Sequence, residues 1–531
     1  MEIELLIAFA ILGCKKASAL MSDAYKFAMA QAGHPLRRET FTLVFRKGTV
    51  YYNPFDLERI VRAFIPAPAT LKEEAFLTAN GYGMTPAMEA ALAGSIVVTC
   101  VPKGTWFGKG DPVLSVTGPS FLVSWLEPLL IMLHYPIQIA TAAIKGERNF
   151  TVTCSDEAAI VKCVEAAYNP PAGSEEASDP EGFRILRDVD ITTQIKGEGR
   201  ESCADYDHEA AKFNITMDAN YRLRVFTKVS DCVRALKGDA HRAFEVGLRA
   251  ATCMQQHLMV LEVCRSLGVL KTSNVYGAWK LYMIPVGTTG HEHQMRHGGS
   301  LVDDRIGYRA IRDSRPEPPS YLFDTTDPLG RGIPAMFDVI KEDPERGCSA
   351  RFDSGNQNVQ FESIYTRCRM TGGVFWITPN LIFEDSYNAE KVENNEVFLD
   401  SYEWPRELRM YGFGGDWVSA PSLTPHTRDV ASVGYKLAMT AGRPTMKFSG
   451  SPGKKSIPGN PRILERVGTD NVVEHMIIQN ELEDEFSTEY RKHGFHDPAP
   501  LDFIPTVIMV RRSKSTMDME AAIRSVIGST I

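Results

Sequence analysis

The order of apolar and polar residues predicts different patterns of helices and strands in the two halves of the chain. Residues 41–60 alternate like a strand that runs into a turn, and residues 93–118 form short β segments separated by glycine and proline. From about residue 239 the pattern changes to helix, short strand and loop, and most strand candidates end in Gly, Asp, Thr or Ser. The first half therefore predicts an α+β domain, and the second half predicts a (β/α) barrel.

Two apolar stretches predict packed helices rather than membrane spans. The N-terminal run MEIELLIAFAILGCKK has only about a dozen apolar residues, too few to cross a bilayer, and it lacks the features of a secretory signal. The stretch at 121–136 contains Glu127, Pro128 and His134, which favours a buried core helix. We expect no membrane association.

The same pattern predicts four parts of the chain. They are an N-terminal α+β domain (1–150), an insertion of unknown role (151–237), a barrel (238–445) and a C-terminal segment (446–531). The insertion is predicted because residues 166–183 are rich in proline, glycine and acidic residues. Within the barrel, residues 241–268 predict a helix, and the strand candidates are YMIPV, YLFDT, ARFDS, GVFWIT and LRMYGFGG.

Composition and charge narrow the class of protein. Of the 531 residues, 44% are hydrophobic and 23% are charged, which is the balance of a soluble globular protein. A net charge of −8 gives no basic field for nucleic acid. The ten cysteines include no C-x-x-C pair, which favours a reducing compartment, and we expect a cytoplasmic protein.

The segment PVGTTGHEHQMRHGG (285–299) holds the first candidate chemical group. His293 and His297 have the spacing of a helical zinc site, but no H-E-x-x-H motif is present, so exposed helix histidines are the simpler interpretation. His291 directly follows a turn after the strand candidate YMIPV, where a barrel carries its active site. A neutral imidazole there can act as base or nucleophile, and a loop histidine is the alternative.

Charged residues follow two further strand candidates. Arg351 and Asp353 are two apart in a strand and point to the same face, which suits an anionic substrate group beside a metal or polar group. An ion pair within the barrel wall is the alternative. Asp324 and Asp327 follow YLF and would hold Mg²⁺ or ribose hydroxyls, although Asp327 could instead cap the next helix.

A glycine-rich turn predicts a phosphate site. In MYGFGGDW, Gly414 and Gly415 would let backbone N–H groups close around a phosphate. Arg428 and Lys436 lie downstream, and Arg46 in FRKG could add a further cation. Together these residues predict a barrel enzyme that handles a phosphorylated sugar with Mg²⁺.

Six ordered motifs give the chain a resemblance to the nicotinate phosphoribosyltransferase family. This family joins nicotinate to phosphoribosyl pyrophosphate in NAD salvage and couples ATP hydrolysis through a phosphorylated histidine. The resemblance implies an α/β fold with the irregular (β/α) barrel of a type II phosphoribosyltransferase and an α+β N-terminal domain that the C-terminal segment completes. It also implies a homodimer with shared active sites. An opening signature, MSDAYKFAMAQ, and FRKG precede the six motifs, which are FEVGLRAA, TSNVYGAWKLYMIPVGTTGHEH, FDTTDPLGRGIP, RFDSGN, YGFGG and GRPTMKFSGSPGKKSIPG.

The resemblance also implies roles for individual residues. His291 would be the phosphorylated residue. Asp324 and Asp353 would bind the ribose or Mg²⁺, or lie beside the ring nitrogen of the base. Tyr25 would stack on the pyridine ring from the partner subunit. Contacts to nicotinate are implied for Thr288, Ser273, Arg249 and Arg351. Contacts to phosphate are implied for Arg46, Gly414, Gly415, Arg428 and Lys436.

The close rival is nicotinamide phosphoribosyltransferase, which shares the fold. That family places an aspartate where this chain has Ser273, and a serine lacks the charge that repels a carboxylate. Nicotinate is therefore preferred, provided that Arg351 has no carboxylate opposite it. The chain departs from the family pattern at Val246, where Phe244 could supply the missing ring, and at Ala250 and Gly415. Two other classes stay open: a non-catalytic ligand-binding member, and a metal-dependent barrel hydrolase that uses His291, His293 and His297.

Overall fold

The computed structural model describes residues 2–168, 212–297, 303–369, 376–447, 456–480 and 483–527. Residues 169–211 of the predicted insertion lie outside these ranges, as do part of the GVFWIT segment and most of the cationic loop after Lys447. The α-helices are Ile3–Leu12, Ala24–Gln31, Leu57–Ala63, Leu71–Ala79, Pro86–Leu92, Ser120–Trp125, Glu127–Met132, His134–Ile144, Ser155–Tyr168, Tyr221–Ala235, Met254–Ser266, Val275–Leu281, His291–His297, Asp304–Asp313, Ile333–Ile340, Gln357–Cys368, Ala389–Ser401, Gly415–Val418, Arg428–Ala431, Glu483–Lys492 and Lys514–Ile527. The strands are β1 (Arg38–Val44), β2 (Val50–Asn53), β3 (Val97–Cys100), β4 (Thr105–Gly108), β5 (Pro112–Pro119), β6 (Asn149–Val152), β7 (Asn214–Met217), β8 (Ala243–Glu245), β9 (Lys271–Thr272), β10 (Ile284–Pro285), β11 (Ser320–Leu322), β12 (Ser349–Phe352), β13 (Asn380–Phe383), β14 (Arg409–Phe413), β15 (Gly434–Thr440), β16 (Arg443–Pro444), β17 (Pro461–Val467), β18 (Val472–Gln479) and β19 (Val507–Arg512).

A parallel sheet of seven short strands forms the centre of the second half. Its order is β10-β9-β8-β14-β13-β12-β11, and every neighbouring pair is parallel. Helices connect successive strands, as in a (β/α) barrel. The carboxyl ends of all seven strands therefore meet at one rim, and the loops that follow them can share one site.

Four of the five strand candidates overlap strands of this sheet, and one does not. The segment GVFWIT was predicted as a strand, but the strand lies further along, at β13. The predicted helix at 241–268 was also too long, because it contains β8 and a 3₁₀ turn before the helix Met254–Ser266 begins. Strands of two to five residues are too short to show a period of their own, so their flanks decide the prediction.

The first half contains an antiparallel sheet of order β16-β15-β1-β5-β3. β15 pairs with β1, although residues 238–445 had been assigned to the barrel. The chain thus returns from the barrel to the N-terminal sheet at 434–440, and this return brings the region around Lys436 beside the segment that carries Arg46.

The C-terminal residues form a separate sheet of order β17-β18-β19. β17 and β18 are antiparallel, and β18 and β19 are parallel. A hydrophobic cluster of Val50, Trp106, Val473 and Ile508 joins this sheet to β2 and β4 of the N-terminal half. The burial of these side chains stabilises the contact between the two ends of the chain.

The described ends of the predicted insertion belong to the main body. β6 and β7 pair in parallel across the gap at 169–211, and the helix Ser155–Tyr168 packs on the helix Ile3–Leu12. The N-terminal helix and the helices at 120–144 are packed in the core, as the sequence predicted. Within the described ranges, no helix combines the length and the apolar character that a membrane crossing needs.

Candidate active site

His291 lies at the centre of a cluster of charged residues at the barrel rim. Its Nε2 atom is 3.1 Å from Asp324 Oδ1, 3.5 Å from Asp353 Oδ2 and 2.9 Å from Lys447 Nζ. Burial and the Lys447 ammonium lower the pKa of His291, while the two carboxylates oppose this shift. The imidazole is therefore held neutral, the form that can act as a nucleophile or bind a metal.

The same cluster has the donor set of a divalent-cation site. His291, Asp324 and Asp353 each offer one ligand atom, and these atoms lie within 4.8 Å of one another. Burial raises the pKa of Asp353, but Arg351, His291 and Lys447 outweigh it and hold that pKa well below its usual range. One nitrogen and two ionised carboxylates suit Mg²⁺ or Mn²⁺, and a bound cation would have to displace Lys447 from His291 Nε2.

A cavity of about 280 Å³ enters the barrel from the rim beside this cluster. Its polar lining includes Ser273, Thr288, Arg249 and Arg351, the residues for which the resemblance implies contacts to nicotinate. The rings of Tyr25 and Phe244 also line it, together with Val246. An aromatic heterocycle could pack here between apolar walls, and we call this cavity the base pocket.

Tyr25 reaches the base pocket from the chain's own N-terminal segment. The N–H of Ala24 donates to the carbonyl of Ser273 at 2.7 Å, and Tyr25 Oη donates to Glu127 Oε2 at 3.2 Å. Gly287 permits this close approach, because a Cβ at that position would lie only 2.8 Å from Tyr25 Cα. The expectation that Tyr25 comes from a partner subunit is therefore wrong for this structure, and the homodimer stays a prediction.

Two carboxylates oppose Arg351, so the expectation that no carboxylate lies opposite this guanidinium is wrong. Its Nη2 atom donates to Asp353 Oδ1 and to Glu384 Oε2, each at 2.9 Å. Its Nη1 atom donates to Thr288 Oγ1 at 2.9 Å and to the carbonyl of Thr289. Glu384 was not predicted as a site residue because it follows β13, whereas the strand was expected at GVFWIT.

A larger cavity of about 810 Å³ adjoins the base pocket and contains the predicted phosphate residues. Arg46 lies there beside Gly434, where a Cβ would be 2.6 Å from the Arg46 Cζ. Burial and the neighbouring Arg428 lower the pKa of Arg46 to about 10, and burial lowers that of Lys436 to about 8. Buried cations that repel one another favour a bound anion. We call this cavity the phosphate cradle; Gly414 and Gly415 also line it.

Buried ion pairs between helices hold the site together, and the sequence did not reveal them. Lys26 Nζ lies 2.5 Å from Glu127 Oε2 and 2.8 Å from Glu292 Oε1, and all three side chains are buried. Glu127 Oε1 is also 3.3 Å from Lys436 Nζ, so this group connects Tyr25 to the phosphate cradle. A charge inside an apolar run was the available signal, because such a charge is buried only with a partner.

The other residues of the histidine segment and Asp327 have structural positions. His293 and His297 were expected to be exposed, and the structure contradicts this. His293 is fully buried, with Nε2 2.8 Å from the carbonyl of Gly307, and burial lowers its pKa to about 4. Their helix packs inward, which the short segment did not reveal. Among the described residues, the group that could hold a metal includes His291 but neither of these two, which disfavours the zinc hydrolase. Asp327 accepts bonds from Leu329 N and Gly330 N as a cap.

Comparison with solved structures identifies the fold. The chain resembles the crystal structure of nicotinate phosphoribosyltransferase from Porphyromonas gingivalis, with 16% identity, a TM-score of 0.52, and coverage of 83% of this chain and 95% of the other. It also resembles that of nicotinate phosphoribosyltransferase from Vibrio cholerae, with 17% identity, a TM-score of 0.52, and coverage of 84% and 92%. No protein-family model and no curated protein matches the chain.

These likenesses assign the architecture of the chain. The chain has an α/β fold with an irregular (β/α) barrel, which confirms the predicted fold class. Its particular arrangement is similar to that of the two nicotinate phosphoribosyltransferases just described. At identities this low the likeness concerns the fold, and the chemistry has to be argued from the site.

Proposed function

We propose that the protein transfers the phosphoribosyl group of phosphoribosyl pyrophosphate to a pyridine base that carries a 3-carboxyl or 3-carboxamide group. The observation that supports this most is that the base pocket and the phosphate cradle meet. The five residues that line both cavities are Tyr25, Val246, Arg249, Arg351 and Glu384. A base in one cavity and a sugar phosphate in the other would face each other across this boundary.

The geometry supports an in-line displacement at the anomeric carbon. Tyr25 and Phe244 would orient the base, and the cations of the phosphate cradle would hold the 5-phosphate. The bond between the base nitrogen and the anomeric carbon forms as the bond to pyrophosphate breaks, through an oxocarbenium-like state. Mg²⁺ held by the carboxylates of Asp324 and Asp353 would supply positive charge for the departing pyrophosphate and leave His291 Nε2 available for phosphorylation.

We also propose that ATP hydrolysis is coupled to this transfer through His291. A neutral imidazole that lines the larger cavity can accept the terminal phosphoryl group of ATP at Nε2 while ADP leaves. The Lys447 ammonium beside Nε2 would then pair with the new phosphoryl charge. Hydrolysis of this phosphohistidine would return the neutral side chain.

Two bases are candidates. Nicotinate is favoured by the guanidinium groups of Arg249 and Arg351 in the base pocket and is the base in the names of both structural neighbours. Nicotinamide is favoured by Glu384, because a carboxylate accepts an amide N–H and repels a second carboxylate. Either product would feed NAD salvage. A homodimer and a cytoplasmic location complete the proposal.

One assay tests the transfer. The protein is incubated with Mg²⁺, phosphoribosyl pyrophosphate and either base, with and without ATP, and the mononucleotide and pyrophosphate are quantified. We expect both products in equal amounts, with more product when ATP is present. A protein that makes no mononucleotide from either base, while binding them, would instead be the non-catalytic ligand-binding member.

A further inference from the structure

We propose that Glu127 couples the two cavities, so that a 5-phosphate bound in the phosphate cradle strengthens the binding of the base. The inference rests on the proposed transfer and adds a dependence of one substrate on the other. Glu127 is a positioning residue: it acts through Lys436 on the phosphate and through Tyr25 and Arg249 on the base.

The carboxylate of Glu127 connects the two cavities. Only 1% of the residue is exposed, and it forms part of the lining of the phosphate cradle. Its Oε2 atom accepts from Lys26 Nζ at 2.5 Å and from Tyr25 Oη at 3.2 Å, and its Oε1 atom accepts from Lys436 Nζ at 3.3 Å. One oxygen therefore serves the base pocket and the other serves the phosphate cradle.

Glu127 is ionised although it is buried. Burial raises its pKa, but the cations of Lys26, Lys436 and Arg249 outweigh burial and hold that pKa well below its usual range. An ionised carboxylate beside an anion site repels the anion, so its position there calls for a task that offsets this repulsion. Its bonds to both cavities indicate what that task is.

Arg249 is the part of the base pocket that can respond to Glu127. Its two carboxylate contacts, at 3.5 Å to Asp23 Oδ2 and at 3.9 Å to Glu127 Oε1, are longer than an ordinary hydrogen bond. The guanidinium carbon lies 5.6 Å from the centre of the Tyr25 ring, and both side chains line the base pocket. A small shift toward Oε1 brings the guanidinium to bonding distance while it stays beside the ring.

An exchange of partners at Oε1 supplies the coupling. A 5-phosphate in the phosphate cradle competes with Glu127 for the ammonium of Lys436. When Lys436 turns to the phosphate, Oε1 becomes free to accept a hydrogen bond from Arg249 Nη1. The guanidinium is then ordered before the base arrives, so the binding of the base no longer includes the entropic cost of ordering it.

The exchange also works in the opposite direction. A base that orders Arg249 against Oε1 of Glu127 releases the ammonium of Lys436 for the 5-phosphate. Because the two effects are linked, each ligand has to raise the affinity for the other by the same factor. This equality gives the measurement an internal check.

The test measures dissociation constants for nicotinate and nicotinamide by calorimetry, without and with saturating ribose 5-phosphate. This sugar carries the 5-phosphate but has no pyrophosphate to lose, so no transfer occurs. In the wild type we expect ribose 5-phosphate to tighten the binding of at least one base about tenfold. In Glu127→Gln, which keeps the shape of the side chain and removes its charge, this factor should fall to about one.

Glu396→Gln is the matched control for stability. Like Glu127, Glu396 is a buried acid between two cations and a tyrosine hydroxyl. Arg242 and Arg409 pair with it, and Tyr411 Oη donates to its Oε1 at 2.6 Å. Within the described part of the chain it lies outside the lining of both cavities. Its replacement should lower the temperature of unfolding and keep the tenfold factor.

A pH profile separates the positioning role from a structural one. Burial and the neighbouring cations lower the pKa of Lys436 to about 8, and Glu127 opposes them. These cations are Arg249, Arg46 and Lys447. The affinity of the wild type for ribose 5-phosphate should therefore fall as the pH rises through about 8. Without the carboxylate the pKa of Lys436 is lower still, so in Glu127→Gln this fall should begin below pH 8.

Lys436→Met decides the matter if Glu127→Gln does not fold. This change leaves Oε1 of Glu127 to Arg249 from the start. The base should then bind without ribose 5-phosphate as tightly as it binds to the wild type with it, an increase in affinity that a loss of stability does not produce. Base binding to Lys436→Met that is no tighter than to the unliganded wild type would contradict the exchange at Oε1.

The remaining outcomes separate the inference from the proposed function. A wild type in which ribose 5-phosphate does not tighten base binding, or a Glu127→Gln variant that keeps the tenfold factor, would overturn the inference while the proposed transfer stands. A wild type that makes no mononucleotide from either base in the transfer assay would overturn the proposed function itself.

Discussion

Two buried histidines of this protein lie between pairs of carboxylates, yet their surroundings give them opposite properties. His291 lies 3.1 and 3.5 Å from Asp324 and Asp353. His475 Nδ1 lies 2.6 Å from Asp111 Oδ2, and its Nε2 lies 3.4 Å from Glu465 Oε2. Burial disfavours the charged form of both rings.

The difference comes from a lysine and a cavity. At His475, burial lowers the pKa, but Asp111 and Glu465 outweigh it and raise the pKa to about 9. At His291, Lys447 supplies the positive charge that the two carboxylates require, so the ring stays neutral, and it faces a cavity. The same pattern of acid, histidine and acid thus makes a structural ion pair at one place and a candidate nucleophile at the other.

Removing His291 should affect activity far more than removing His475. His291→Ala should abolish the stimulation of product formation by ATP and lower kcat/KM measured with ATP by about a thousandfold, because the phosphoryl acceptor is lost. His475→Gln is the matched control and should keep the stimulation. Equal stimulation in His291→Ala and in the wild type would remove His291 from this role.

The second prediction concerns the stability that the His475 ion pairs contribute. The rise of the His475 pKa from its ordinary 6.5 to about 9 corresponds to about 3 kcal/mol of stabilisation. A raised histidine pKa stabilises the fold fully below pH 6.5, and the contribution is lost as the pH rises from 6.5 to 9. The unfolding temperature of the wild type should therefore fall over this range more steeply than that of His475→Gln. Parallel curves would contradict the ion pair.

The third prediction concerns metal binding at the first histidine. Asp324→Asn removes one anionic ligand from the candidate cation site, and we expect the Mg²⁺ concentration for half-maximal activity to rise about tenfold to a hundredfold. The measurement is a Mg²⁺ titration of initial rates at saturating substrates. Asp111→Asn, the equivalent change beside His475, should leave the titration unchanged. An unaltered titration in Asp324→Asn would place the metal elsewhere.

The sequence predicted those parts of the site that depend on one strand and its loop. His291, Asp324 and Asp353 were expected at strand ends, and the barrel fold brings them together because the carboxyl ends of parallel strands share a rim. The prediction could not supply Lys447 as a neighbour of His291, since 156 positions separate them.

What the sequence could not show depends on contacts between distant segments. Glu384 was not predicted because β13 is only four residues long, and the preceding segment GVFWIT has a more strand-like sequence. The hydrogen bond from Ser273 to Asp23 was missed because Asp23 reaches it only through the packing of the N-terminal segment on the barrel. Local patterns give the elements, but which charges face one another is decided by the fold as a whole.

The last prediction concerns Lys447, the residue that distinguishes the surroundings of the two histidines. Lys447→Met leaves His291 between two carboxylates without the ammonium, so that it resembles His475, and the pKa of His291 should rise. A protonated imidazole cannot accept a phosphoryl group, so the stimulation by ATP should fall about tenfold at pH 7 and recover as the pH is raised. The measurement is the ATP-stimulated rate from pH 6 to 9.

The control for this last change is Lys436→Met, which removes a cation from the phosphate cradle instead. It should raise the KM for phosphoribosyl pyrophosphate and, at saturating concentrations of that substrate, leave the ATP-stimulated rate at pH 7 close to that of the wild type, because Lys436 pairs with Glu127 rather than with His291. If Lys447→Met lowered the rate equally at every pH, the lysine would act by contact with substrate. The contrast between the two histidines would then have to arise from the cavity alone.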